Sequence, residues 1–517
     1  MVIFCFLDLT YRTIYLIMTD LKLTDLNKLK IKDLLALIRN RIITVTQCTQ
    51  FFIDLIKTNN PLLNALVEER FSEALCEAIE YDNQINKNQI DFQMLPLLGL
   101  PITIKEMICV KGMKQTLGIL QRKNYICDTD ATVVSRLKSA GAIILGTTNV
   151  SELGFWFEGS NPIYGATNTP FDLKRTAGGS TAGEASLVGA GLIPLGIGSD
   201  IGGSLRIPAA FCGSVGFKPS HGYLPMTGHF PASGEYYQKW TQHKGSMTSL
   251  GAIARSTDDL LEVLPLLAGD DNQDPHSNRP SINLNKQIPL NKIRVYILSN
   301  PDFLGAHLVD KPIELAVKKC GQLLKKRGAT VTQLNSGFFE YSLLWWLMRA
   351  DLEKIAPFTT LLAPNKPLNL LSELSKALLG KPNHEWPALI TSCVEKLNLT
   401  KDSSHLKNNL KHSFKIKQNQ VTELLKENCV IISPTHPRPA MRHGQSLLRP
   451  FDFIYTGYAN AFNLPAIQVP VGLTNDRLPI GVQIAAALDH DYLCFQIAKE
   501  LENAFGGWQP PPSQLFS

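Results

Sequence analysis

The sequence is poor in the signatures that usually announce chemistry. None of its ten cysteines, at positions 5, 48, 76, 109, 127, 212, 320, 393, 429 and 494, forms a Cys-x-x-Cys pair. That excludes a disulfide framework and a clustered-thiolate zinc site, and it fits buried thiols in a reducing compartment. The eleven histidines include no His-Glu-x-x-His, so no metal is expected. There is no Gly-Lys-Ser/Thr phosphate loop and no G-x-S-x-G nucleophile elbow. "GIGSDIGG" at 196–203 imitates a dinucleotide fingerprint but lacks the acidic residue about 20 positions further on. No cofactor is therefore expected. A concentrated basic stripe is also missing: the net charge of +6 is spread over 517 residues, and "KNNLKHSFKIK" at 407–417 reads as a solvated helix face. Nucleic acid is not an expected partner.

Long apolar runs are lacking too. A membrane-crossing helix needs about 20 apolar residues, whereas "MVIFCFLDLTYRTIYLIMTD" is interrupted by Asp8 and Arg12. No basic region precedes this stretch and no small-residue cleavage site follows it, so it makes a poor signal peptide. Residues 1–20 are read as an extension with two alternatives: a surface-lying amphipathic segment, or, preferred, a misassigned start with Met18 as the first residue. The expected location is cytoplasmic, with peripheral membrane association as the alternative.

What the chain does have is a globular composition, 44% hydrophobic and 19% charged. No repeat, low-complexity tract or linker cuts it between 90 and 500, so residues 21–517 read as one large domain. Its arm, 21–90, has helical spacing in "IKDLLALIRNRI" and "QCTQFFIDLIKTNN"; "NNP" at 59–61 reads as a break, after which "LLNALVEERFSEALCEAIEYDNQI" resumes the helical period. "GLPITIKEM" (99–107) reads as a buried strand, and "DATVVSRLKSAGAIILGTTN" as an Asp-capped helix followed by a strand at 143–146. Further alternation comes from "IRVYIL", a helix over 312–327, "CVIISPTH", "PAIQVPVG", "PIGVQIAA" and a last helix over about 491–504. This pattern indicates an α/β fold. Residues 335–425, helical, aromatic and Pro-punctuated, read as an insertion on one face.

Two Gly-Gly-Ser turns stand out: "GGSTAGEAS" (178–186) and "GSDIGGSLRIP" (198–208). Glycine is costly to order and marks places where backbone must come close to something. A serine that attacks a carbonyl needs a base, and neither stretch contains histidine. The candidate is Lys105, at the end of the apolar "GLPITIK". Taken alone, such a lysine is more often a surface charge at a strand end. With a pKa of about 10.4, only about one lysine in 2,500 is neutral at pH 7, so a lysine base makes sense only where burial lowers that value.

Together, "GLPITIKE", "GGSTAGEAS" and "GSDIGGSLRIPAAFCGSVGFKPSHG" resemble the amidase signature family of Ser-Ser-Lys hydrolases. "GTTNVSELGFWFEGSNPIYGATNTPFD" and "FNLPAIQVPVG" support the likeness, which runs from about residue 24 onward. The motifs keep the family's order and spacing, 75 residues from Lys105 to Ser180 and 24 more to Ser204. The resemblance implies an α/β amidase signature fold, a large mixed sheet covered by helices on both faces. It also implies that Ser204 is the nucleophile, that Ser180 is a bridging serine on a cis peptide, that Lys105 is the base, and that the N–H groups of Ile201, Gly202, Gly203 and Ser204 form an oxyanion hole. Thr181, Ala182 and Gly183 replace the family's usual Ser-Gly-Gly, and the methyl at 182 would alter the turn if that position needed a positive φ.

Within the family the likeness is greatest to the fatty acid amide hydrolases of the second, membrane-anchored form. "SELGFWFEGSNPIYG", "RPFDFIYTGYANAFNLP" and "LENAFGGW" carry it. The implied substrates are fatty acid amides or N-acylethanolamines, with Gly154 and Phe155 on an acyl channel; Trp156 reads as core packing. "LNLLSELSKALLG" (368–380) reads as a helix packed on the core, with a membrane cap as the alternative. Partners reduce to a small-molecule amide substrate, peripheral membrane contact and a homodimer. The rival readings are a broad-range amidase for small aliphatic or aryl amides, the A component of a tRNA-dependent amidotransferase, and a catalytically dead interaction protein. The intact Lys105, Ser180 and Ser204 argue against the last.

Overall fold

The structure, a computed structural model, describes residues 23–230, 247–277, 283–352, 357–363, 367–396 and 404–512. The extension at 1–20, Met18 included, lies outside the described residues. Eleven strands among those described form one mixed sheet, in the order Leu66–Glu69, Ile143–Thr148, Pro101–Lys105, Leu195–Asp200, Ser249–Ala254, Val215–Lys218, Ala466–Leu473, Pro479–Ala486, Cys429–Pro434, Arg294–Ile297 and Thr330–Gln333. Pro101–Lys105 runs parallel to both its neighbours, and every one of its residues is buried. That burial is why "PITIK" reads as a nearly continuous apolar run rather than an alternating one. From Leu195–Asp200 through Cys429–Pro434 the pairings are antiparallel, and the last three strands are parallel again.

The helical arm forms largely as its periodicity predicts. Ile31–Arg39 buries Ile31, Leu34, Leu35, Leu37 and Ile38. Val45–Leu63 opens on a capping box, with Thr44 and Gln47 exchanging side-chain and backbone bonds. Three local expectations are corrected. The helix continues through Pro61 and ends at Leu63, because a proline in the last turn forfeits little of the ladder. The expected helical stretch after it is interrupted by the strand Leu66–Glu69, which pairs with Ile143–Thr148; the Asn60 side chain holds the connection by accepting from Ala65 N and Leu66 N. Asp130 does not cap the helix Thr132–Ser139: Ala131 occupies the cap position, and Asp130 binds Lys111 N and the Lys138 ammonium instead.

Between Thr330–Gln333 and Cys429–Pro434 lie the helices Ser342–Leu352, Phe358–Leu362, Leu370–Leu378, Trp386–Lys396 and Ser404–Leu424. Trp345 and Trp346 are buried in a second apolar cluster with Phe339, Tyr458 and Phe462. Leu370–Leu378 departs from its expected core packing. It buries Leu370 alone, while Leu371, Leu378 and Leu379 are 82%, 78% and 78% exposed. The apolar spacing is present, but the face it defines points outward.

Candidate active site

A buried strand carries Lys105 into the interior, where it is 0% exposed. Its Nζ lies 2.7 Å from Ser180 Oγ, 3.1 Å from Ser199 Oγ and 3.4 Å from Ser199 O. Burial lowers its pKa from 10.5 to about 7, overcoming the charges of Asp200 and Glu184 that pull it upward. Far more of the molecules therefore hold a free amine near neutral pH than an exposed lysine would. Glu184 is buried in the same region, accepting from Thr148 Oγ1 at 2.9 Å and from Thr103 Oγ1. Burial raises its pKa to about 8, against the Thr103 and Thr148 hydrogen bonds and the Lys105 charge, which pull it down.

Ser180 follows Gly178 and Gly179, and the Gly179–Ser180 peptide is cis. The helix Ala182–Gly189 starts two residues later. Ala182 is its first residue and has no positive φ, so the replacement of the family's glycine leaves the turn intact. Its methyl occupies space left open by Gly159, where a Cβ would collide with it.

Ser204 sits between the strand Leu195–Asp200 and the helix Arg206–Phe211. Thr181 N donates to Ser204 O at 3.1 Å, which ties the two Gly-Gly-Ser turns together. The turn itself is held by Asp200, whose carboxylate accepts from Gly203 N at 2.7 Å and Leu205 N at 3.2 Å. Of the four N–H groups expected to form an oxyanion hole, that of Gly203 is thus engaged by Asp200. Gly203 spends its N–H on bracing the loop, whereas Ile201, Gly202 and Ser204 show no N–H bond among the described residues. Gly203 adopts φ +126°, and a side chain there would also run into Thr456 Oγ1.

The brace extends further than the sequence suggested. Asp200 pairs with Arg206, both side chains fully buried, through Nη2–Oδ1 at 2.9 Å and Nε–Oδ2 at 3.0 Å. Burial alone would raise the Asp200 pKa; the Arg206 charge and hydrogen bonds hold it down to about 2. Arg206 also donates to Thr456 O, Asn460 Oδ1 and Gln483 Oε1. Asn460 Nδ2 returns to Asp200 Oδ1 at 3.0 Å. The signal that could have revealed this was an acid and an arginine six residues apart inside an otherwise apolar, glycine-rich stretch.

Two cavities open beside Ser204, and both include Gly154, Phe155 and Ile201 in their walls. One, of about 390 Å³, is apolar: Phe157, Ile207, Leu343, Trp346, Val394 and Phe453 line it. The other, of about 340 Å³, carries Ser180, Ser199, His229 and Thr248 among its lining residues. Phe155 packs on Phe358 with ring centroids 4.6 Å apart. Trp156 is half-buried and packs against the apolar cluster of Phe157, Ile207 and Phe211, as expected for it; its Nε1 donates to Ser446 Oγ at 2.6 Å, and it also lines the apolar cavity.

A mixed α/β sheet that delivers a buried lysine to a serine, with a second serine beside two substrate-sized cavities, defines the chain as an amide-bond hydrolase. It belongs to the amidase signature family: residues 47–495 match the family model described as Amidase. Fatty-acid amide hydrolase 2-A of Danio rerio is 37% identical over 489 residues, covering 92% of this chain and 88% of that protein. Fatty-acid amide hydrolase 2 of Homo sapiens is 35% identical over 493 residues, covering 93% and 89%. The solved structure of 6-aminohexanoate cyclic dimer hydrolase complexed with substrate shares the fold at a TM-score of 0.76 and 23% identity, over 95% of this chain and 100% of that one.

Proposed function

We propose that the protein hydrolyses fatty acid amides through an acyl-enzyme on Ser204. The observation that carries the mechanism is the buried Lys105 amine, lowered to about 7 and 2.7 Å from Ser180 Oγ. Neutral Lys105 takes the Ser180 proton as Ser180 takes that of Ser204, and Ser204 Oγ attacks the amide carbonyl. The developing oxyanion meets the N–H groups of Ile201, Gly202 and Ser204; losing one such donor typically costs about 10²–10³ in rate. The proton then returns through Ser180 to the leaving nitrogen, and water releases the acid by the same relay in reverse.

The apolar cavity favours a long acyl chain, as does the 37% identity to a fatty-acid amide hydrolase. Ile390 and Val394, both lining this cavity, are 50% and 53% exposed. With Leu371, Leu378 and Leu379 they supply an apolar surface suited to peripheral contact with a lipid bilayer, from which such substrates would enter. The test is kcat/KM for p-nitroanilides from acetyl to dodecanoyl, kept below micelle formation. Each buried methylene contributes about 0.8 kcal/mol at most, so a steady gain through decanoyl is expected, with Phe155→Ala flattening the slope. A maximum at acetyl or propionyl would establish the small-amide reading instead. Ser204→Ala should abolish both turnover and labelling by a fluorophosphonate.

A further inference from the structure

The helix Trp386–Lys396 supplies one wall of the site, yet little of it is buried. Ile390, Thr391 and Val394 line the apolar cavity, and Thr391 and Glu395 line its neighbour. Only Ala388, Leu389 and Ser392 are buried along the helix. So narrow a buried face yields little apolar stabilisation, and the position of the wall depends on polar contacts at the two ends of the helix.

Those contacts divide by end. Near its last turn, Glu395 accepts from Phe358 N at 2.6 Å, Thr359 N at 2.9 Å and Thr359 Oγ1 at 2.7 Å, and Lys396 Nζ donates to Leu368 O at 3.3 Å. These bonds stay inside the insertion. At its start the bonds leave the insertion. His384 Nδ1 donates to Glu152 Oε1 at 2.6 Å, Glu385 N donates to Glu152 Oε2 at 2.8 Å, and Ser160 Oγ donates to Glu385 Oε1 at 2.9 Å. The Glu152 and His384 side chains are 2% and 4% exposed, so water competes little for them. Glu152 opens the turn Glu152–Gly154, which leads into Phe155; Gly154 and Phe155 lie in the walls of both cavities beside Ser204. The Glu152–His384 pair thus joins the two sides of the apolar cavity across 232 positions of sequence.

We infer that Glu152 and His384 are positioning residues whose buried pair seats the helix Trp386–Lys396 against the Gly154–Phe155 turn and so sets the outer wall of the acyl site. The inference rests on the amide hydrolysis proposed above, with the acyl chain in the apolar cavity. Ile390 and Val394 are half exposed, which puts them toward the opening rather than beside the nucleophile. A two-carbon acyl group held at Ser204 does not need them, whereas a ten-carbon chain does. Losing one member of a buried pair strands the other without its partner, and here the strain falls on the wall and not on Lys105, Ser180 or Ser204.

The test uses the purified full chain, wild type and variants, with acetyl and decanoyl p-nitroanilides. His384→Ala should raise KM for the decanoyl substrate by about 10-fold while acetyl turnover stays within about 2-fold. His384→Asn, whose side-chain amide can donate to Glu152, should recover most of the decanoyl loss. Backbone amides of residues 386–396 should exchange with deuterium at least about 10-fold faster in His384→Ala and return toward wild type in His384→Asn. Fluorophosphonate labelling of Ser204 reports an assembled site in each variant. Equal losses on both substrates, unchanged kinetics with unchanged exchange, or loss of labelling in His384→Ala would each overturn the inference, the last by making the pair a requirement for folding. A wild type that hydrolyses neither anilide overturns the proposed function, whereas the exchange measurement still judges the seating of the helix.

Discussion

Lys105 would be a cation in water, and its environment removes that charge. Burial is the cause, and with a pKa of about 7 the neutral, basic form gains population as pH rises. The sign of the pH dependence follows: kcat/KM should climb through about pH 7 and level off above it. Lys105→Ala should lose at least about 100-fold at pH 7 and recover part of that at high pH, where hydroxide replaces the base. A pH–rate profile of both proteins, with an unchanged limb in the variant, would return Lys105 to a structural role. Lys105, Ser180 and Ser204 were legible in the sequence because residue type and spacing alone mark them. The buried contacts that Arg206 makes with Thr456, Asn460 and Gln483 were not, since those partners lie 250 or more residues away in the sequence. Nor could spacing show that Gly203 spends its N–H on Asp200.

The element that positions Ser204, the proposed nucleophile, is the turn between Leu195–Asp200 and Arg206–Phe211, held by one fully buried ion pair. Removing one member of such a pair leaves an uncompensated charge, at a cost of about 3–5 kcal/mol. Arg206→Met should lower stability by about that amount in denaturant unfolding and reduce kcat as the loop loses its brace; unaltered unfolding would show that the pair is dispensable. The pH dependence provides a second signature. The Asp200 pKa is depressed to about 2, so its contribution to wild-type stability is present above about pH 4 and is lost as pH falls toward 2; in the variant that acid-side loss shrinks. Strands such as Pro101–Lys105 were readable because both faces are buried and the run is apolar. Leu66–Glu69 was not, because its pairing with Ile143–Thr148 overrides a local helical pattern. The outward face of Leu370–Leu378 escaped for a related reason: periodicity locates an apolar stripe but says nothing about which way it points.

At the scale of the whole molecule, the sheet's mixed topology brings distant segments to one centre, while the helices between Thr330–Gln333 and Cys429–Pro434 supply both cavity wall and exposed apolar surface. No helix among the described residues is long and apolar enough to cross a membrane. Leu371 and Leu378 lie seven residues apart, on one helical face. Replacing both with Asp should lower binding to phosphatidylcholine vesicles in a flotation assay by at least about 10-fold while sparing hydrolysis of a short soluble anilide; equal flotation would remove the membrane from the account. The brace around Asp200 carries a consequence in time. Asn460 lies 260 residues beyond Asp200, and Gln483 lies 277 beyond Arg206. At about 5–20 residues per second, a ribosome takes roughly 15–55 s after making Arg206 to reach Gln483. For that interval the nascent chain holds its lysine and both serines but lacks the groups that set the loop, so hydrolytic competence is withheld until synthesis has passed them.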